Sequence, residues 1–516
     1  MPMDFLPVDE VEDLEEIKPM FWRFGQKILG VGEHIRKDPR LYGVFITNFG
    51  CGPDSFIQHF FKDRMRGKPY LEIEIDEHSA DVGAITRLEA FLDSLQNVTV
   101  QPAPARASRT RVTGSLKRKI YFPYMADHVL ALVAAYQACG AEAEALPESD
   151  AETLELGRHL TSGKECYPLI LTTGDLAKLV KRPDFDPDHS SFFMPNASGP
   201  CRFGQYNRYQ RLVLDGLGYP QVPVYAPDQD VTMYKELGMV GDDFDRIAWN
   251  GFVAIDLLEK KLLETRPHER HAGETDKVYQ HFLQKAYEAL RDRGDLVRVL
   301  HNAGQTFNEV ALNGPREKPI VGVVGEIYVR SNRFANEDAV REIEALGGEV
   351  WMPPISEWLH YVNYTTKKRA LNSRSYRYYA TVLFKEFFQH RDEHRLEEIF
   401  QGSLRNLKEP RITRTIDMAC GYLHPSFEGE AILSLGKSID FINKGAAGLV
   451  NTMPFTCMPG TVVNSLMGRF REEHDHIPFL NLAYDGQEQT HTRTRLEAFM
   501  YQVRQFHNRS HPKRPK

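Results

Sequence analysis

The 516-residue chain contains no C-x-x-C pair, no P-loop and no apolar run approaching twenty residues. The first absence excludes the compact ligand spacings of ferredoxins and zinc ribbons. The second excludes a Walker-type nucleotide site, and the third predicts no membrane-spanning helix. Positive charge is also short: 64 Lys and Arg stand against 71 Asp and Glu, a net charge of −7. With no basic stripe interleaved with aromatics, nucleic acid is not an expected partner. The acidic stretch Met1–Ile17 lacks the basic start and apolar core of a secretory signal, which points to the cytoplasm. Cysteine is scarce, at six residues. In a reducing compartment these are not expected to form disulfides, so they are buried thiols, ligands or nucleophiles.

What the chain does have is an alternation of short apolar strands and amphipathic helices. This predicts an α/β protein with several Rossmann-like parallel-sheet domains. Residues 1–101 read as a partial α/β unit, with strands over Tyr42–Thr47 and Tyr70–Ile75 and helices over Ser55–Phe61 and Ala84–Leu95. Pro102–Gly114, rich in Pro, Ala, Arg and Ser, reads as a linker. Residues 113–312 read as a second α/β domain, with strands over Lys119–Phe122 and Ala141–Leu146, a helix over Ala126–Ala138 and a helical flank over Tyr234–Leu312. Residues 318–507 read as a third, with strands over Ile320–Gly325 and Glu349–Met352, a helix over Glu337–Leu346 and a helical insertion over 355–410. From Asn508 the tail is polar, basic and expected to be disordered.

The two ends of the chain repeat one βα unit. Gly25-Gln-Lys-Ile-Leu is echoed by Gly429-Glu-Ala-Ile-Leu, and Gly43-Val-Phe-Ile-Thr by Gly448-Leu-Val-Asn-Thr. Cys51 and Cys457 are each followed two residues later by a proline, and Thr86-Arg-Leu-Glu-Ala-Phe91 recurs unchanged as Thr494–Phe499. The first copy has no counterpart of Ile320–Leu346, so it reads as half a domain whose other half lies on a partner chain or a fused relative. The duplicated cysteine sits at a strand end, where open parallel sheets hold ligands.

Four cysteines share a setting. Cys51, Cys166, Cys201 and Cys457 all lie in predicted loops with a proline within two residues. Such stiff loops let thiolates converge on a metal cluster while nearby backbone N–H groups approach its sulfurs. Cys139 ends a helix before Gly140 and reads as a small buried apolar residue; Cys420 is ambiguous. Taken singly, each cysteine is more simply a core residue; it is the shared setting that argues for ligands.

These residues resemble the activase-associated region and the dehydratase-like domain of the 2-hydroxyacyl-CoA dehydratase superfamily. The similarity spans nearly the whole chain, most specifically Asn48–Phe56, Asp76–Asp81, Gly163–Pro168, Phe193–Tyr206, Gly325–Arg330 and Met453–Gly460. The resemblance implies a [4Fe–4S] cluster, or a double-cubane cluster, fed with low-potential electrons by an ATP-dependent activator. In true dehydratases one electron makes a ketyl radical at a CoA-thioester carbonyl and the hydroxyl is expelled. By position, Cys166, Cys201 and Cys457 resemble the family's three-cysteine set, with Cys51 a fourth ligand or part of a second cluster. The activator ATPase is then a separate chain, and a dimer or paired homologous subunit is implied. The chain would be the iron–sulfur component of a reductase or dehydratase, or else a non-catalytic electron relay or scaffold for the activator. An iron-free α/β binding protein is the third reading.

Other residues near these loops are candidates for proton handling, metal or ligand contact: Glu165, Asp76, Glu77, His78, Asp81, Arg202, Gln205, Glu326 and Arg330. Against this stands a solvated loop for the acidic group. Arg87 and Arg495, in the repeated Thr-Arg-Leu-Glu, are expected to make salt bridges rather than bind phosphate.

Overall fold

The computed structural model describes residues 1–6, 20–48, 50–65, 67–96, 118–197, 199–227, 243–315, 317–487 and 491–510. The expected linker Pro102–Gly114 and the tail beyond Ser510 lie outside them. Among the described residues every strand ladder is parallel, in three sheets, as the α/β reading predicts.

The N-terminal unit runs α1 (Arg23–Lys37), β1 (Gly43–Thr47), α2 (Asp54–Arg64), β2 (Tyr70–Glu74) and α3 (Asp81–Leu95). Its sheet has two strands, β1–β2. Phe45 packs under α1 and α2 with Leu29, Ile35, Ile57 and Phe61.

The middle region runs β3 (Lys119–Phe122), α4 (Val129–Ala138), β4 (Ala143–Ala145), α5 (Ala151–His159), α6 (Tyr167–Val180), β5 (Ser190–Phe193), a 3-10 turn (Arg202–Gln205), α7 (Tyr206–Gly216) and β6 (Val224–Tyr225). Three long helices follow: α8 (Phe244–Thr265), α9 (Glu274–Arg291) and α10 (Leu296–Glu309). The strand order is β4-β3-β5-β6.

The last region runs β7 (Ile320–Gly325), α11 (Ile327–Ser331), α12 (Ala339–Ala345), β8 (Glu349–Trp351), α13 (Ser356–Asn372), α14 (Tyr376–Glu397), α15 (Ile412–Ala419), α16 (Glu430–Asn443), β9 (Gly448–Pro454), α17 (Met458–Glu473), β10 (Phe479–Tyr484) and α18 (Thr492–Ser510). The order β10-β9-β7-β8 repeats the topology of the middle sheet. In both, the chain reverses direction across the sheet between the first and third strands, which opens a crevice at their carboxyl ends. Residues 356–397 form the expected helical insertion.

The differences from expectation are local. The helix expected at Glu337 begins at Ala339, because Glu337 and Asp338 are left-handed, with φ of 53° and 55°. Asn508, Arg509 and Ser510, expected in a disordered tail, belong to α18. The two repeats align one residue differently from their glycines. Tyr70 pairs with Gly43 and Phe479 with Leu449, so Val44 corresponds to Val450, not Leu449. A one-residue shift exchanges the faces of a strand.

The middle and last regions share a core. Tyr167, Ile170 and Leu171 of α6 and Leu263 of α8 pack with Val321, Val323, Val350, Val450 and Leu482 of the last sheet. Buried charges reinforce the junction: Glu409 accepts from Lys260 of α8 at 2.5 Å and from Lys437 of α16, and Lys437 also reaches Asp440 at 3.0 Å.

One buried acid on α6 has a readable pH consequence. Burial raises the Asp175 carboxyl to about 7, against hydrogen bonds from Ser149 and Thr153 that favour the charged form. The native state therefore holds a proton that the unfolded chain releases near pH 4. Stability contributed by this group is present at low pH and is lost as pH rises from about 4 toward 7. Asp175→Asn is expected to flatten that part of the profile, read as urea midpoints at pH 5 and pH 7. An unchanged slope in the variant would remove Asp175 as a cause.

Candidate functional site

Cys166, Cys201 and Cys457 all lie within electrostatic reach of Arg202 at the seam between the middle and last sheets. Cys201 follows β5 and Cys457 follows β9, each the third strand of its sheet at the crevice. Cys166 precedes α6, the helix that enters both cores. Cys51 follows β1, the counterpart of β9.

Each cysteine sits at a helix start for a local reason. Cys166, Cys201 and Cys457 occupy N-cap positions with extended backbone, and Pro168 and Pro459 in the first turns of α6 and α17 fix the entry without losing a needed donor. First-turn amides lie beside the sulfurs and favour their charged forms: Leu169 at Cys166, Phe203 at Cys201, Gly460 at Cys457 and Asp54 at Cys51. Helix N-termini favour negative charge, so each position favours a thiolate. Burial opposes this and raises all four thiols; it is strongest at Cys201 and Cys457.

Arg202 joins the loops. Its guanidinium is buried and interacts with the charges of Cys166, Cys201 and Cys457. It donates to Ser55 Oγ at 3.2 Å, to the Lys164 carbonyl at 3.3 Å, and to the Thr456 carbonyl and Oγ1 at 3.1 Å each. These acceptors belong to the Cys51, Cys166 and Cys457 loops, and Arg202 itself follows Cys201. Cys51 also interacts with Arg202. Thr456 is left-handed, with φ of 59°, where the first copy has Gly50 at 78°. A threonine there is strained, and its hydroxyl is one of the groups that hold Arg202.

Tyr206, at the start of α7, places its hydroxyl 2.6 Å from Cys166 Sγ. Phe56 of α2 stacks on its ring at 6.0 Å, so the N-terminal unit orients it. Trp22 Nε1 donates to the Pro200 carbonyl at 3.0 Å, fixing the Cys201 loop from the same side.

Two carboxyls close the seam. Glu326 follows β7 and caps α11 by accepting from the amides of Tyr328 and Val329 at 3.1 and 2.8 Å. Glu430, at the start of α16, accepts from the Ile327 amide at 3.0 Å. Burial raises both, and their mutual repulsion carries Glu430 to about 8. Both interact with Cys201 and Cys457. Gly325 permits the turn: at φ 120°, a Cβ there would meet the Thr452 carbonyl oxygen at 2.0 Å.

Among the described residues, two groups bring ligand atoms within 4.8 Å of one another, His360–His390–Glu393 and His128–Asp256–Glu259. Neither contains a cysteine, so the thiols stand wider apart than the ligands of one ion. Asp256 spends both oxygens on the Ile355 and Ser356 amides, capping α13. No protein-family model and no curated protein matches the chain.

The remaining sequence candidates divide. Glu165 is buried and paired with His59; burial pushes its carboxyl up, and that bond with the Ser162 amide outweighs it and lowers it. Gln205 is buried and accepts from Arg208 at 3.2 Å. Arg330 is buried and donates to the Pro353 carbonyl at 3.2 Å. Asp76 closes its own exposed turn onto the His78 amide, and Glu77, His78 and Asp81 face solvent, as the solvated-loop reading has it. Arg495 donates to the Asn481 carbonyl at 2.5 Å, and Arg87 is exposed. Cys420 is exposed at the end of α15, and Cys139 is half-buried instead of fully so. Sequence reasoning missed Tyr206, Thr456 and Glu430. Glu430 had one signal, its place beside the repeated glycine of Gly429-Glu-Ala-Ile-Leu.

Proposed function

We propose that Cys166, Cys201 and Cys457 hold a [4Fe–4S] cluster, and that the chain is the iron–sulfur component of a 2-hydroxyacyl-CoA dehydratase-like system driven by a separate ATP-hydrolysing activator. The observation that supports this best is the placing of three loop thiols, each at the start of a helix or 3-10 turn, around the single guanidinium of Arg202. A mononuclear ion suits the spacing poorly, and thiolates with amide donors suit iron–sulfur clusters. Such a group, when bound, supplies one-electron reduction at low potential. The chain's residues do the rest. Arg202 holds the loops in register and offsets thiolate charge, and the Tyr206 hydroxyl donates to Cys166. Burial disfavours negative charge on Glu326 and Glu430, which lessens their repulsion of the thiolates.

Three thiolates leave one coordination place for a substrate. Cys51, on the same arginine, would close that place and turn the site into an electron relay. Iron and acid-labile sulfide in anaerobically purified protein test the reading. About four irons per chain are expected, lost in Cys166→Ala, Cys201→Ala and Cys457→Ala and kept in Cys51→Ala. Loss in Cys51→Ala as well, with no turnover alongside activator, ATP and reductant, selects the relay. About eight irons mark a double cubane. No iron after reconstitution, with variants like the parent, ends the cluster reading.

A further inference from the structure

The repeated unit is covered in one copy and bare in the other. In the C-terminal copy, β9 pairs with β7 on its outer edge, and α18 lies over the sheet against α12. There Leu496, Phe499, Met500 and Val503 of α18 are buried with Val450, Val321 and Ile343. In the N-terminal copy, the outer edge of β1 has no strand beside it among the described residues. No residue of α3 is buried. The identical hexapeptide thus faces opposite surroundings. Met500 is 0% exposed and its counterpart Leu92 is 61% exposed; Val450 is 0% exposed and its counterpart Val44 is 42% exposed.

The bare face is continuous in kind. Val44, Ile46 and Ile75 line the sheet side, and Val82, Ile85, Leu88 and Leu92 line α3. Gly43–Thr47 carries no lysine, proline or other charge to blunt its edge, which is how exposed edges are usually protected. These seven residues expose on the order of 600 Å², close to the roughly 800 Å² per partner of a stable interface.

We propose that this face is where a second copy of the chain docks, β1 edge against β1 edge. The described strand pairs able to imitate β7–β8, namely β3–β4 and β7–β8 themselves, are committed to their own sheets. What a second copy offers is its own free β1 and bare α3. A two-fold axis perpendicular to the sheet makes these self-complementary. The two β1 strands pair antiparallel into a four-stranded sheet, and the two α3 helices, on the same side, close over Val44 and Ile46 of both copies. This rests on the repeat and not on the cluster, so metal-free protein serves equally.

Sedimentation equilibrium of the whole chain across the micromolar range tests it. The expected species is twice the 59.2 kDa chain mass. Ile46→Lys at the strand edge and Leu92→Glu on α3 should each weaken the dimer by roughly tenfold or more, since each places an unpaired charge in the interface. Both positions are exposed, so thermal midpoints of the monomer should hold. Amide exchange over Gly43–Thr47 should slow as the concentration of the parent rises. A parent that stays at 59.2 kDa with concentration-independent exchange, or a dimer that neither variant weakens, overturns the proposal.

Discussion

Replacing Arg202 with methionine is expected to cost about 3 kcal/mol of stability, and to abolish retention of any metal on the surrounding thiols. Arg202 donates four hydrogen bonds to three loops drawn from all three regions of the chain. Bonds from a charged donor contribute about 1.5–3 kcal/mol each, but relieving the buried guanidinium of its desolvation penalty returns part of the sum. Methionine fills similar space and leaves the Lys164 and Thr456 carbonyls unpaired. Arg202→Lys keeps the charge but lacks the planar fork that spans separate acceptors, so it should recover some stability and little metal binding. Urea unfolding with iron analysis on both variants decides the matter. An Arg202→Met protein with parental stability and full iron would show that the loops hold themselves.

Glu409→Gln should be the more damaging change to the scaffold, by about 3–5 kcal/mol, because it strips two buried lysines of their shared counter-charge. Burial pushes the Glu409 carboxyl up, yet Lys260, Lys437 and Lys444 together hold it far below the ordinary carboxylate range. Its partners come from α8 and α16, so the loss is felt between the middle and last regions. Adding Lys260→Met to Glu409→Gln should restore part of the lost stability, since one orphaned ammonium is then gone. If the double variant is less stable than the single one by the full cost of the lysine, the two groups are not coupled.

The parallel α/β architecture was legible where a short apolar strand is followed by a helix with its own stop signal. Gly347 after α12 and the apolar Ile320–Gly325 are examples. The strand register of the repeat was not legible, since Gly43 and Gly448 match by type while the ladders pair Gly43 with Tyr70 and Leu449 with Phe479, which makes Leu449 the counterpart of Gly43. Prolines beside cysteines marked loops, and the loops proved to be helix starts with the cysteine at the N-cap. Arg202 was legible as a candidate contact beside Cys201, but its part in joining the loops was hidden, because it reaches Ser55 and Thr456 across long stretches of chain. Tyr206 was equally silent, because its role depends on Phe56 stacking from another region.

The three cysteines stand far apart along the chain, and the loops that bear them close only when α6 is seated in both cores. Occupant and tertiary fold are therefore linked as ligand and native state. Whatever binds all three thiols cannot bind them in the open chain, and its free energy is added to the docking of the two sheets. The seam should gape first when the occupant is lost, and a protease should find α6 cleavable in the stripped protein well before the sheets themselves give way.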